Sequence, residues 1–181
     1  MKINGIGNFT KLMDYVQNKV DSFSKGDKTM KQLYEYVFQQ GDNVFAEFSN
    51  GYKIGKLTYR ECKSQIQRIA LALQAQLQGV SKHSLVGLYM ANSVEWIQLF
   101  WAILQCGYKP LLLNTRASDQ VINDVIATHG VAAVVSDGKQ FDCPTYLCAD
   151  VVAQVTNLQI ECCDWEDEVV FMSSEIGRAH V

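Results

Sequence analysis

The middle of the chain carries a pattern of apolar and polar positions that predicts a strand, a helix and a strand with short connections. Residues 85–90 form an apolar run typical of a strand buried on both faces. Apolar side chains then recur at helical spacing, which places one stripe of a helix against a sheet: Val94, Ile97, Phe100, Trp101 and Leu104. Gly107 ends this helix and residues 110–113 form the next strand. The pattern predicts a parallel β-α-β unit with a right-handed crossover.

Two capping boxes mark helix starts in this pattern. Asn92 is the predicted N-cap of the helix just described, with Glu95 three residues later. Thr58 and Glu61 form the same motif at the start of an earlier helix, which Gly79 closes. The sequence therefore predicts helices on both sides of the strand over residues 85–90.

The β-α alternation continues after the central unit. Ser118 is the predicted cap of a further helix that stops at Gly130, and residues 131–136 form another buried strand. The order over residues 84–136 is β-α-β-α-β, which predicts an α/β fold, a parallel sheet with flanking helices. A short strand is expected from residue 145, and an apolar run closes the pattern at residues 169–172.

The amino-terminal part has a different organisation. Residues 1–28 include apolar positions at helical spacing and are predicted to form a helical extension. Thr29 is the predicted cap of a second helix. Residues 43–48 and 52–57 are predicted strands joined at Asn50-Gly51, a typical hairpin turn.

Composition narrows the functional classes. The chain has 181 residues, is 48% hydrophobic and carries a net charge of -3, which fits one domain with an extension and argues against nucleic acid as a partner. The amino terminus lacks a signal-peptide core, and no apolar run is long enough for a transmembrane segment. We expect a cytoplasmic protein; a peripheral contact with a membrane surface stays open.

Cysteine and histidine do not form a recognisable catalytic or metal motif. Cys143, Cys148 and the pair Cys162-Cys163 lack CxxC spacing, so structural thiols are favoured over a zinc site. His83 is expected to be solvated and His129 to lie in the last turn of a helix, where a cation is favourable.

Two cations and two tryptophans are further candidates. Lys109 and Arg116 flank the strand over residues 110–113 and suit a phosphate contact, although solvated charges at strand ends are the alternative. Trp96 and Trp101 do not share a narrow helix face, and are interpreted as packing residues.

Five stretches of the chain follow each other in an order found in one enzyme family. They are Leu57-Thr58-Tyr59, residues 86–96, residues 102–110, Leu113-Asn114-Thr115-Arg116 and residues 167–174. This order resembles the amino-terminal part of the AMP-forming acyl-CoA synthetases, the adenylate-forming superfamily. The resemblance implies a partial AMP-binding domain over residues 29–174.

The resemblance also implies an activity. Members activate a carboxylic acid with ATP and Mg²⁺ to an acyl-adenylate and transfer the acyl group to coenzyme A; a fatty acid is the expected substrate. Ser173 and Ser174 correspond to the start of the family's phosphate-binding loop, and we expect no catalytic residue or metal ligand in this chain. The alternatives are an amino-acid adenylation domain of a peptide synthetase and a non-enzymatic α/β binding module.

The sequence after Ser174 departs from the family pattern. The family continues with Gly-Thr-Thr-Gly and Pro-Lys-Gly, whose glycines let the backbone approach phosphates, whereas this chain has Glu175-Ile-Gly-Arg-Ala-His-Val181. The stretch from Ile176 resembles a translated sequencing adapter. We therefore interpret residues 175–181 as a non-native tail and expect the fragment to be inactive; a genuine polar tail is the alternative.

Overall fold

The computed structural model describes residues 29–49, 51–52, 54–153 and 164–172. The predicted extension over residues 1–28 and the predicted tail over 175–181 lie outside the described residues. The elements in chain order are α1 (Met30–Phe38), β1 (Val44–Ser49), β2 (Ile54–Thr58), α2 (Tyr59–Gln76), β3 (Leu85–Tyr89), α3 (Val94–Gln105), β4 (Lys109–Leu112), α4 (Asp119–His129), β5 (Ala133–Ser136), β6 (Thr145–Leu147), α5 (Cys148–Ala153) and β7 (Val170–Phe171).

A five-stranded parallel sheet organises the fold. Its strand order is β6-β5-β3-β4-β7, and every neighbouring pair is parallel. The central strand β3 lies between β4 and β5, and most of its residues are buried, as the continuous apolar run predicts. The prediction of an α/β fold with a parallel sheet and flanking helices is confirmed.

Helices cover both faces of this sheet. Successive residues of β5 show the two layers, because Ala133 and Val135 belong to the core that contains α2 and α3, whereas Val134 packs with α4 on the opposite face. The α2 and α3 core is extended by α1, whose Tyr34 and Phe38 are buried against Trp101. Trp101 is thus a packing residue, as predicted.

Side-chain caps set where the helices begin. Thr29 caps α1, and Ser118 caps α4; Thr58 forms the full capping box with Glu61 at the start of α2. These three predictions are confirmed. The fourth prediction, Asn92 as the cap of α3, is wrong by one residue. Ser93 caps α3, because its Oγ accepts from the backbone N–H of Trp96, and Asn92 lies outside the helix.

The amino-terminal hairpin has the predicted antiparallel pairing but a longer connection. Ser49 pairs with Ile54, so four residues separate the strands, whereas the predicted strands over residues 43–48 and 52–57 leave three. Gly51 has φ +87° and its N–H bonds to the Ser49 hydroxyl, while Asn50 lies outside the described residues.

Residues 164–168 form an ordered segment, here called the acidic strap, which leads into β7. The backbone N–H of Glu166 bonds to the carbonyl of Leu104 in the last turn of α3, and the Asp167 carboxylate accepts from the N–H of Met30 at the start of α1. Trp165 packs against the ring of Tyr34. The strap therefore joins α1 and α3 before the chain enters the sheet.

Candidate functional site

The loops that follow the strands lie together at one edge of the sheet. Because all five strands are parallel, their carboxyl ends share that edge, here called the carboxyl edge. From β3 the chain passes to β4, the neighbour on one side of β3, and then crosses to β5, the neighbour on its other side. The order of the strands therefore reverses at β3. In open α/β sheets such a reversal point is where ligands bind.

Strand β7 brings the chain to this edge beside β4. Leu111 pairs with Val170 and Leu112 with Phe171, and the N–H of Met172 donates to the carbonyl of Leu112. The chain thus leaves the sheet next to the start of the loop that follows β4. Ser173 and Ser174, the predicted phosphate-binding residues, come directly after Met172 and lie outside the described residues.

The loop between β4 and α4 is a tight turn built on Asn114. Its Oδ1 accepts from the N–H of Arg116 at 2.9 Å, and its carbonyl accepts from the N–H of Ala117 at 3.0 Å. Arg116 is exposed, and none of the described carboxylates forms an ion pair with its guanidinium. This turn presents a cation at the carboxyl edge that has no ion-pair partner within the described ranges.

Lys109, the second cation singled out from the sequence, lies at the opposite end of β4. Its ammonium group pairs with the exposed carboxylate of Glu168 in the acidic strap, and the hydrogen bond that it donates to this partner raises the pKa of Lys109. Of the two cations, only Arg116 follows the carboxyl end of β4, whereas Lys109 lies at its amino end and is paired with a carboxylate.

A polar network missed by the sequence analysis supports the β4–α4 loop. The Tyr89 hydroxyl at the end of β3 donates to the carbonyl of Thr115 at 3.3 Å. The Lys139 ammonium group contacts the Asp119 carboxylate at the start of α4 and lies 5.2 Å from the centre of the Tyr89 ring. The hydrogen bond to Asp119 raises the pKa of Lys139, which keeps the amine protonated.

Among the residues that the structure describes, the cysteines and histidines do not add a reactive group to this edge. Burial raises the thiol pKa of Cys143 and Cys148, which makes both poor nucleophiles; Cys162 and Cys163 lie outside the described residues. Within the described ranges, no three histidine, cysteine or acidic side chains are close enough to hold a metal ion. His83 is 70% exposed by its side chain, yet its Nδ1 lies 2.6 Å from Glu166, a partner that the sequence did not predict.

Residues 34–174 match the family model described as AMP-binding enzyme. The chain belongs to the AMP-binding enzyme family. This assignment confirms the resemblance to adenylate-forming enzymes and leaves the subfamily open. No curated protein sequence matches the chain.

Solved structures of adenylate-forming enzymes share the fold of this AMP-binding family member. The amino-terminal subdomain of NpsA from Klebsiella oxytoca, in complex with 3-hydroxybenzoyl-AMSN, has a TM-score of 0.67 at 19% identity over 81% of this chain and 38% of its own. NpsA-ThdA from Klebsiella oxytoca, an artificially fused adenylation-PCP di-domain, has a TM-score of 0.67 at 18% identity. The match covers 81% of this chain and 28% of the di-domain. The o-succinylbenzoate CoA synthetase MenE from Bacillus subtilis has a TM-score of 0.60 at 17% identity. The match covers 75% of this chain and 34% of MenE.

The chain covers only part of each of these structures. The chain spans between 28% and 38% of the lengths of these three solved structures.

None of the helices in the described ranges is both long and apolar enough to cross a bilayer.

Proposed function

We propose that this chain is the amino-terminal part of a ligase that converts a carboxylic acid and ATP to an acyl-adenylate and then transfers the acyl group to the thiol of coenzyme A. The family match over residues 34–174 carries this proposal. MenE, a CoA synthetase with the same fold, supports coenzyme A as the acceptor, and a fatty acid stays the predicted substrate class. Cytoplasmic location also stays a prediction.

The carboxyl edge fits an anionic ligand. Arg116 is an exposed cation without an ion-pair partner among the described residues, and it follows the strand beside which β7 ends. A guanidinium group suits phosphate because its N–H groups form two parallel, charge-assisted hydrogen bonds. We propose that Arg116 contacts a phosphate of a substrate, and that Ser173 and Ser174 begin the loop that holds the ATP phosphates.

The proposed chemistry has two displacement steps. A carboxylate oxygen attacks the α-phosphorus of ATP, and the bond to pyrophosphate breaks; the sulfur of the thiol then attacks the acyl carbon, loses its proton, and AMP leaves. Charge grows on phosphate oxygens in the first step, where a fixed cation lowers the barrier. Mg²⁺ would neutralise the same phosphates, and we assign no described residue to it.

Pyrophosphate exchange tests the first step. The full-length enzyme is expected to exchange labelled pyrophosphate into ATP when its carboxylic acid is present, and the 181-residue chain is expected to show none. A panel of fatty, aryl and amino acids identifies the substrate class. Exchange by the 181-residue chain, or its absence from the full-length enzyme with every acid, would contradict the proposal.

Arg116→Ala in the full-length enzyme tests the phosphate contact. Loss of a charge-assisted hydrogen bond pair is expected to raise KM about tenfold for ATP or for coenzyme A, the two phosphate-bearing substrates. Lys109→Ala is the matched control, because it removes a cation from the other end of β4 and should leave both KM values within about twofold. Equal effects of the two variants would remove Arg116 from the site.

An amino-acid adenylation domain of a peptide synthetase is the second candidate. The similarity to NpsA-ThdA, an adenylation-PCP di-domain, favours it. The two candidates differ in the thiol that receives the acyl group. Mass spectrometry of products distinguishes them: an acyl-coenzyme A supports the first, and loading of a phosphopantetheinyl carrier domain supports the second.

A further inference from the structure

The peptide group that joins Thr115 to Arg116 is held on both sides. Its carbonyl accepts a hydrogen bond from the Tyr89 hydroxyl, and its N–H donates to Oδ1 of Asn114. The second bond is local, whereas the first comes from β3, 26 residues earlier in the chain. Fixing both polar groups of one peptide sets its plane. The next peptide is held by the bond from the Ala117 N–H to the carbonyl of Asn114, and the two planes together set the direction in which the Arg116 side chain leaves the backbone.

The Tyr89 side chain is itself clamped. Tyr89 is 8% exposed, and its ring packs edge-on against Phe141 at 4.9 Å between ring centres. The Lys139 ammonium group lies 5.2 Å from the Tyr89 ring and 5.7 Å from the Phe141 ring, and it also pairs with Asp119. One lysine therefore links the loop after β5, the end of β3 and the start of α4.

The turn that carries Lys139 is fixed by a buried serine. Ser136 is fully buried at the end of β5; its hydroxyl donates to the carbonyl of Lys139 and accepts from the N–H of Gly138. Gly138 has φ +145°, a conformation that side chains rarely adopt. This turn is therefore built to hold the Lys139 backbone in one place, unlike an ordinary surface lysine whose ion pair contributes little.

We propose that Tyr89 and Lys139 are positioning residues, which fix the Thr115–Arg116 peptide and so aim Arg116 at a substrate phosphate. The part of this inference that directs Arg116 toward a phosphate rests on the proposed function. The part that concerns the order of the β4–α4 loop rests on the described contacts alone. Tyr89 acts through its hydroxyl on Thr115, and Lys139 acts through its contacts with Tyr89 and Asp119.

Hydrogen exchange of the 181-residue chain tests the order of the loop without any ligand. The N–H groups of Arg116 and Ala117 are bonded within the turn, so their exchange reports its opening. Tyr89→Phe keeps the ring and removes the hydroxyl, and is expected to speed exchange at both positions about threefold to tenfold. Lys139→Met should do the same, and Lys139→Arg, which keeps the charge over the ring, should stay within about twofold of wild type.

Amides of β3 and β5 in the same samples separate a local effect from a general loss of stability. Faster exchange confined to the loop supports the inference. Unchanged exchange at Arg116 and Ala117 in both Tyr89→Phe and Lys139→Met, or equal acceleration across the sheet, overturns it.

A double-variant cycle in the full-length enzyme tests the action through Arg116. Tyr89→Phe is expected to raise KM for the same substrate as Arg116→Ala, by about threefold, with kcat nearly unchanged. In the double variant the tyrosine change should add nothing to the arginine change. Additive effects overturn the positioning role. If Arg116→Ala alone has no effect, the proposed phosphate contact fails, and the exchange experiment still decides whether Tyr89 and Lys139 order the loop.

Discussion

Gly107→Ala is expected to lower the free energy of unfolding by about 3 kcal/mol, the largest effect that we predict for a single methyl group. Gly107 has φ +76°, which costs a side chain about 1 to 2 kcal/mol. An added Cβ would also lie 2.5 Å from the carbonyl oxygen of Asp164, so the backbone of the acidic strap would have to move. Urea denaturation of the 181-residue chain measures the change.

Gly130→Ala is the matched control for this prediction. Gly130 also ends a helix and has φ +61°, yet nothing lies within 4 Å of an added Cβ. Its cost should be limited to the same backbone strain, about 1 to 2 kcal/mol. If the two variants lose equal stability, the strap does not press on Gly107, and the contacts assigned to residues 164–168 are wrong.

Glu166→Gln is expected to cost about 2 kcal/mol at pH 7, because the hydrogen bonds that the buried carboxylate accepts lose their charge assistance. Glu166 is 6% exposed, and its carboxylate accepts from the N–H groups of Asp167 and Glu168 and pairs with His83. Burial alone would raise the pKa of Glu166, but the hydrogen bonds from His83 and from the two N–H groups outweigh it and hold the pKa below its ordinary value.

The sign of the pH dependence follows from this lowered pKa. The carboxylate contributes stability above its unfolded pKa of about 4.3, and the contribution is lost as the pH falls through the lower folded pKa. The difference in unfolding free energy between wild type and Glu166→Gln should therefore have its full value at pH 7 and shrink below about pH 4. Glu168→Gln, an exposed carboxylate in the same strap, should leave the unfolding free energy nearly unchanged. If the difference in unfolding free energy between wild type and Glu166→Gln does not change with pH, the charge of the Glu166 carboxylate does not stabilise the fold.

These two predictions bear on function because the strap is the entry to β7. Residues 164–168 are anchored to α1 and α3, and β7 begins two residues later, at Val170. Loosening Gly107 or Glu166 would free the segment that delivers the chain to the carboxyl edge.

Local chemistry explains which features of the fold were predictable. Thr58 and Glu61 form their capping box within four residues, so the sequence alone fixes that helix start. The error at Asn92 has the same origin, because Asn92 and Ser93 are both good caps and only the backbone selects Ser93, with φ -152° and ψ 178°. The long connection in the hairpin was missed because an Asn-Gly pair does not report the register of the strands on either side.

The candidate site was less accessible to sequence reasoning. Arg116 was identified as a cation at a strand end, but Lys109 had the same pattern, and only the tertiary pairing of Lys109 with Glu168 separates them. Tyr89 was overlooked because a tyrosine at the end of an apolar run is indistinguishable from a core residue. Ser173 and Ser174 depend on the family resemblance, and their assignment stays a prediction.

The sequence by itself determined the periodic elements, three of the four predicted helix caps and the membership of an enzyme family, since each depends on residues that are neighbours along the chain. The tertiary structure alone decided which polar groups meet. His83 and Glu166 are 83 residues apart, and Lys109 and Glu168 are 59 apart. Such pairs form only after the strands have been ordered as β6-β5-β3-β4-β7, and this order arises from the packing of helices on both faces of the sheet.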